Sequence, residues 1–296
     1  MTLVTNSLKK VALVTGANRG LGFEVALELA QRKFKVVMAD KVELTPSKEH
    51  VICLSGNTDV HEYRLDLASF NSVKCFAENV TKDLDYIDVL VNNAGVFCMK
   101  RQKTEDCLDA VMQINHLSPF LLTYLLTDLL KKSKNGRIIY VTSNGAFFNR
   151  LTLEQLSKPD YFTPHFISGA IHYYNTKLCN MISTKYFTKK LKQFNITCNS
   201  VHPHMMNTEF LISNKHTSLL SNLESRISTR LIPFVTRDVK YCADGVIFLA
   251  TSNTIHNVTG KYFINSQVHR EPSAVEDKKF CHEICNESEK LVGIKK

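Results

Sequence analysis

The chain has no basic run, no paired-cysteine motif, no long apolar stretch and no linker, and each absence removes a class of function. No run of five or more Lys/Arg occurs, although 37 Lys+Arg against 28 Asp+Glu give a formal charge of +9. The lysines are scattered, in pairs such as Lys131-Lys132 and Lys189-Lys190. The charge therefore reads as a basic solvated surface, and no nucleic-acid partner is expected. Such a surface still favours anionic cofactors or membrane lipids. The nine cysteines are an odd number and form no C-x-x-C pair, which indicates a reduced, cytoplasmic compartment and no disulfide scaffold. Cys281-His282-x-x-Cys285 is the one close cluster; it lacks a second ligand pair and reads as ordinary helix, with no metal. The first ten residues are too polar and short for a signal peptide. The most apolar stretch, 120–130, is broken by Thr123, Thr127 and Asp128 and is too short to span a bilayer. With no linker, repeat or low-complexity tract, one α/β domain covering 1–296 is the simplest organisation.

What is present is organised around Val11-Ala-Leu-Val-Thr-Gly-Ala-Asn-Arg-Gly-Leu-Gly22. Residues suited to a buried strand run into Gly16, Gly20 and Gly22, then into helical spacing at Phe23, Ala26, Leu27, Leu29 and Ala30. Strand, glycine turn and helix make the first unit of a dinucleotide-binding fold. Glycine lets backbone approach a pyrophosphate, and the helix N-terminus offers free N–H groups and a positive dipole end. Alone the turn is weak, since many strand–helix turns need glycine. Further strands are expected at 35–39 (ending at Asp40), 61–65, 87–91, 137–142, 196–201 and 261–264. Helices are expected at 71–82 behind a Ser69 cap, from about 105 through Asn115 toward 130, at 170–192, at 238–251 and from 277. Thr45-Pro-Ser47 reads as a loop, and 207–236 as a mobile helical flap over the substrate. The insert 144–172 carries Phe147, Phe148, Tyr161, Phe162 and Phe166; a loop of that length is functional or disordered. The expected fold class is α/β: a Rossmann-type doubly wound parallel sheet with helices on both faces.

Tyr173 and Lys177 lie four residues apart on a helix and share a face. An ammonium beside a phenol stabilises the phenolate and lowers the tyrosine pKa, which suits a proton donor and acceptor near neutral pH. The same spacing occurs by chance on amphipathic helices, and Tyr186 with Lys189-Lys190 nearly repeats it. Tyr174 has Leu178 four residues on. Ser143 follows a buried strand at the end where open α/β sheets bind ligands; a turn serine or helix cap is the alternative. Thr142 competes with it, but strand alternation points the two opposite ways. Asn115 is a poor helix former inside a helix, and reads as a solvated polar residue unless it has a task.

These features recur in a fixed order: Thr15-Gly-x-x-x-Gly-x-Gly22, Asp66-Leu67, Asn92-Asn-Ala-Gly95, Asn115, Ser143, Tyr173-x-x-x-Lys177, and His202-Pro203 followed by Thr208. With them the chain resembles the short-chain dehydrogenase/reductase family over nearly its whole length. The stretches 115–126, Gly260-Lys-Tyr-Phe263 and 287–294 resemble its retinol dehydrogenase-like branch. The resemblance implies hydride transfer between NAD or NADP and a small lipophilic alcohol or carbonyl, retinoid- or steroid-like. It implies catalytic roles for Asn115, Ser143, Tyr173 and Lys177. Tyr173 would pass a proton at the substrate oxygen. Lys177 would lower its pKa and hold the nicotinamide ribose hydroxyls. Ser143 would orient the substrate oxygen, and Asn115 would hold a water linking Lys177 to solvent. Cofactor contacts are implied for Gly16, Asn18, Arg19, Gly20, Leu21 and Gly22, for Asp40, Lys41, Asp66 and Leu67, for Asn93, Ala94 and Gly95, and for Thr208. The insert aromatics suggest an apolar substrate wall, core or an oligomer contact. The family implies a homodimer or homotetramer, with 117–130 and 171–192 as interface or as core. Many relatives in the branch begin with a membrane anchor; no transmembrane segment is expected here, and peripheral contact is left open.

Two departures stand out. Pro203-His204 replaces the family's Pro-Gly, so either the loop turns His204 outward or the imidazole affects cofactor binding. Ser118 stands where the branch prefers glycine. Asp40, 18 residues past Gly22, is placed where a carboxylate accepts both adenosine ribose hydroxyls and repels a 2′-phosphate. Arg19 and Lys41 are placed to bind that phosphate. Burying a carboxylate against a phosphate is costly, which favours NAD. The competing reading is a catalytically silent nucleotide-binding scaffold or regulator, for which His204 and the insert speak.

Overall fold

Strand residues apolar on both faces require helices on both sides of the sheet. In the computed structural model, which describes residues 9–97, 102–158, 165–204 and 238–294, eight strands form one sheet in the order β3-β2-β1-β4-β5-β6-β7-β8. They are β1 (Val11–Thr15), β2 (Lys35–Asp40), β3 (Val60–Arg64), β4 (Val89–Asn92), β5 (Gly136–Val141), β6 (Ile196–His202), β7 (Tyr262–Ile264) and β8 (Gln267–His269). All neighbours pair in parallel except β7 and β8, which pair antiparallel. The strand order reverses between β1 and β4, and a crevice opens at such a switch point beyond the strand C-termini.

Period-two alternation sorts the core into two layers. Leu13, Leu90, Ile138 and Cys198 face α3 (Phe70–Asp83), α4 (Ser118–Leu125) and α6 (His165–Lys190). Val14, Val91, Ile139 and Val201 face α1 (Gly20–Gln31) and α7 (Val239–Thr251). The expected doubly wound sheet is what the chain forms. Ser69 caps α3, its Oγ accepting from the Ser72 N–H.

Four expectations are corrected. Thr45-Pro-Ser47 is no loop but the first turn of α2 (Thr45–Ser55). Proline is tolerated there because its missing N–H has no helical partner to lose. The helix expected from about 105 begins only at the turn Ala110–Met112, capped by Asp109. Asp106 ahead of it is used elsewhere, accepting from the Phe70 N–H. That helix is also not continuous: a π turn, Gln113–Leu117, precedes α4, and Leu126 separates α4 from α5 (Thr127–Lys131). The insert holds two 3-10 turns, Asn144–Phe148 and Glu154–Leu156, and α6 starts at His165, earlier than expected. Past β7 the chain adds the short β8 and then α8 (Ser273–Glu276) and α9 (Lys278–Leu291). Thr208, the segment 207–236, Tyr161 and Phe162 lie outside the described residues. No helix among the described residues is long and apolar enough to cross a membrane.

Gly22 shows how tightly the first unit closes. A Cβ on it would land on the Gly16 carbonyl and on the Asn93 amide. Neither is the free end of a flexible side chain, so Gly22→Ala should lose about 2–3 kcal/mol of stability, the cost of overpacking. Urea unfolding measures it; an unchanged midpoint would show that the turn can open.

Candidate active site

The site is assembled where β1, β4 and β5 end. The turn after β1 is laid against the turn after β4. The Asn93 side-chain N–H groups donate to the Thr15 and Gly16 carbonyls at 2.8 and 3.3 Å. The Thr15 hydroxyl accepts from the Asn93 and Ala94 N–H groups at 3.0 and 3.1 Å. Asn93 therefore braces the two strands, as expected. Gly16 and Gly20 sit at φ +67° and +59°, the left-handed region that suits glycine. A Cβ on Gly16 would lie 2.9 Å from the Ala94 Cα. Beside the α1 N-terminus the turn presents glycine backbone at 16 and 20, with Asn18 and Arg19 between them, and a pyrophosphate would fit there. Leu21 and Leu67, expected to touch the cofactor, are both buried, one in each core layer. Asp66 caps the next turn, Oδ1 accepting from the Ala68 N–H at 2.9 Å.

Asp40 closes the cradle at the end of β2. Its carboxylate accepts from the Lys41 N–H at 2.7 Å and the Asn18 N–H at 3.3 Å. Asn18 is held in turn by α2: the Ser47 hydroxyl reaches its carbonyl and its side-chain oxygen at 2.8 and 2.9 Å. Reading Thr45–Ser47 as a loop missed this tie. Arg19 occupies the N-cap of α1, and Lys41 is exposed beside Asp40.

Asn115 and Lys177 meet beneath Gly95, with the Tyr173 ring beside the lysine. A Cβ on Gly95 would lie 3.3 Å from Lys177 Nζ and 3.4 Å from Asn115 Oδ1. Lys177 Nζ stands 5.4 Å from the Tyr173 ring centroid and donates to the Val141 carbonyl at 3.1 Å. Asn115 is fully buried, so the solvated reading fails. Its Oδ1 accepts from the Val96 N–H at 2.7 Å, and its Nδ2 donates to the Val96 carbonyl at 2.9 Å and to Thr176 Oγ1 at 3.1 Å. The π turn that carries it is a frequent device at functional sites.

Ser143 lies two residues past β5, at the same rim. The Thr142 hydroxyl donates to the Lys177 carbonyl at 2.8 Å, which docks this stretch on α6. Ser143 Oγ accepts from the Gly145 N–H at 3.1 Å, so it is also a turn cap. Tyr174 is accounted for by packing: its ring occupies the space a Gly145 side chain would need and lies 6.2 Å from the Phe148 ring.

The expected lowering of the Tyr173 pKa does not appear. Burial, with Tyr174 adding to it, holds the phenol well above its ordinary value. The ammonium stands over the ring face and its effect does not offset burial. Burial also pushes Lys177 down to about 8. His204 resolves one of the two departures. Its φ is +71°, the conformation for which glycine is usual. Its Nε2 meets Asn265 Oδ1, and its ring lies 5.5 Å from the Tyr241 ring. The imidazole is thus turned toward the β7–β8 turn and lines a cavity of about 160 Å³ with His202, Tyr241 and Asp244. Sequence reasoning passed over His172, which pairs with Asp109 at 2.6 Å beside Tyr173. Its position next to the tyrosine was the available signal.

Lys177 ties stability to pH. Its folded value, about 8, lies below the unfolded 10.5, so its contribution is complete above 10.5 and lost as pH falls through 8. Wild type should therefore gain about 3 kcal/mol relative to Lys177→Met between pH 7 and pH 10.5. Parallel urea titrations check this, and a constant difference between the two proteins would contradict it.

Comparison with known proteins agrees with this geometry. A family model described as short chain dehydrogenase matches residues 10–154. Retinol dehydrogenase 11 of Mus musculus is 32% identical over 263 residues, covering 88% of this chain and 78% of the relative. Retinol dehydrogenase 13 of Homo sapiens is 31% identical over 290 residues, covering 96% and 85%. A solved protein from Mycobacterium Paratuberculosis superposes with a TM-score of 0.74 at 23% identity, over 96% of this chain and 93% of the other, which speaks for the fold alone. The chain belongs to the short-chain dehydrogenase/reductase family, in its retinol dehydrogenase-like branch, and is an oxidoreductase of CH–OH groups that uses a nicotinamide cofactor.

Proposed function

We propose that the chain oxidises or reduces a lipophilic alcohol or carbonyl of retinoid or steroid type, with Tyr173 as the acid/base. The observation that carries the reading is Lys177 standing with Asn115 under Gly95, its Nζ 5.4 Å from the Tyr173 ring centroid, at the rim where the glycine turn ends. When bound, the nicotinamide supplies or takes the hydride. Tyr173, kept protonated at neutral pH by burial, gives its proton to a carbonyl oxygen in the reductive direction. In the oxidative direction the Tyr173 phenolate receives the alcohol proton, and the Lys177 ammonium lessens, without offsetting, the cost that burial puts on that phenolate. Ser143 orients the substrate oxygen by hydrogen bond. Lys177 holds the ribose hydroxyls, and Asn115 fixes the floor beneath it. Gly16, Gly20, Gly22 and the α1 N-terminus take the pyrophosphate, Asp66 and Leu67 the adenine, and Asn93 to Gly95 the adjoining ribose.

For the cofactor we favour NAD. Three backbone N–H groups, of Asn18, Lys41 and Val42, hold the Asp40 carboxylate at the end of the cradle, where it accepts ribose hydroxyls and repels a 2′-phosphate. The retinol dehydrogenase names of the relatives support a lipophilic substrate.

Tyr173→Phe should lower kcat by about 10²–10⁴-fold while cofactor still binds; near-normal turnover would refute the acid/base role. Asp40→Ala should shift the NADH-to-NADPH preference toward NADPH by about tenfold, roughly 1.4 kcal/mol. Steady-state rates with both cofactors read this out, and a wild-type preference for NADPH that the variant leaves unchanged would overturn the NAD assignment.

A further inference from the structure

Two side-chain contacts tie α6 to the segment that leads into α4. Asn115 Nδ2 donates to Thr176 Oγ1 at 3.1 Å. One turn earlier, His172 Nε2 meets Asp109 Oδ1 at 2.6 Å. His172 and Thr176 are four residues apart and share one helix face; Tyr173 and Lys177 are the same pair moved on by one residue, about 100° around the axis. The face beside the catalytic one is therefore anchored at two heights to a single stretch, 109–115.

The Asp109–His172 pair is not a surface contact. The His172 and Asp109 side chains are 7% and 2% exposed. Asp109 is also the N-cap of the turn Ala110–Met112, its Oδ1 accepting from the Met112 N–H at 2.9 Å. Burial works to raise its carboxyl pKa, but His172 and the Met112 and Val111 N–H groups outweigh burial and hold it below the usual carboxylate range. A buried polar pair of this kind is a poor source of stability, since well-packed apolar residues of the same volume do as well or better. Such a pair can instead specify direction, since a hydrogen bond of 2.6 Å ties one azimuth of α6 to residue 109. The lever is long. A tyrosine oxygen stands roughly 8–9 Å from its helix axis, so a rotation of about 10° moves it by about 1.5 Å. Misplacement on the order of 1 Å costs about 10²-fold in rate.

We propose that Asp109 and His172 are a positioning pair: together with the Asn115–Thr176 contact they fix the rotation of α6 that sets Lys177 beneath Gly95 and Tyr173 beside it. The proposal rests on the acid/base reading of Tyr173. Neither member touches the reacting atoms.

The test compares His172→Ala, His172→Gln and Asp109→Asn with wild type and Tyr173→Phe. It measures kcat, KM, cofactor affinity by fluorescence, thermal midpoint, and the pKa of Lys177 by competitive amine labelling. His172→Ala should lower kcat by about 10–100-fold, with KM and cofactor affinity changed by less than about threefold. His172→Gln still presents an N–H donor at the Nε2 position and should recover most of the rate. Asp109→Asn keeps the cap and the side-chain size, and gives the same comparison should the alanine variant not fold. A variant that loses thermal stability but keeps kcat overturns the proposal, as does a glutamine variant no better than alanine at equal stability. If Tyr173→Phe retains turnover, the acid/base reading has failed and the rate arm is set aside. The labelling arm then decides. A Lys177 pKa displaced in His172→Ala and restored in His172→Gln supports the positioning role, and an unmoved value removes it.

Discussion

The rest of the structure depends on the closeness of two turns. β1 and β4 are parallel neighbours, with Ala12, Leu13 and Val14 opposite Val89, Leu90 and Val91, so the chain leaves both strands at the same edge. There the Thr15 hydroxyl and the Asn93 amide stitch one turn to the other. Stitching at this distance leaves no room for a side chain at Gly16 or Gly22. The bare backbone that suits a phosphate is thus a consequence of strand pairing. The same edge carries Gly95 over Lys177 and Asn115, so the cradle and the candidate proton-transfer group share one rigid frame.

Much of this was legible in the sequence because burial on both faces leaves an apolar run that few other structures tolerate. β1, β4 and β5 were found that way, and alternation sorted the rest. Helices were less legible where a local signal pointed two ways. Pro46 reads as a breaker, yet it sits in a first turn where it costs nothing. Residues 105–109 offer only Glu105 and Leu108 as helix formers; Asp106 is drawn off to α3 and Cys107 takes φ +60°. At the site, motif order named Asn115, Lys177 and Tyr173, which the fold brings near one another, while their charge states were beyond it. Four-residue spacing argued that Lys177 lowers the Tyr173 pKa. Desolvation, which spacing does not encode, wins in the folded chain. The Asp109–His172 contact joins residues 63 positions apart, and no local pattern announces it.

The two departures from the family pattern are both absorbed by new hydrogen bonds. Ser118 is fully buried, and its hydroxyl donates to the Leu67 carbonyl at 2.6 Å. A small polar residue there joins α4 to the loop that leads into α3. His204 holds a left-handed conformation that costs a non-glycine residue roughly 1–2 kcal/mol. The β7–β8 turn, with Asn265 and Ser266 both at positive φ, presents the amide that receives it. Two positive φ values in a two-residue hairpin match the right-handed twist of the strands. The hairpin that sequence reading missed is therefore also the reason this histidine can stand where glycine is usual.

The remaining constraint concerns how a buried polar centre is kept from collapsing. Asn115 and Lys177 are both almost wholly out of water, and an unpaired buried polar group costs more than a hydrogen bond returns. Asn115 meets this by bonding to Val96 and Thr176, and Lys177 by bonding to the Val141 carbonyl. Those partners lie on the loop after β4, on α6 and at the end of β5, so the bonds tie the three together. The next residue, His116, extends the same logic outward. Burial keeps it neutral, with its pKa pushed down to about 3, and its Nε2 lies 2.9 Å from Ser288 Oγ on α9. Tyr186 on α6 donates to Glu289 one residue further along. The C-terminal helix thus grips both the π turn that carries Asn115 and the helix that carries Tyr173. A segment far from the glycine turn in sequence thereby becomes a support for the same arrangement of side chains.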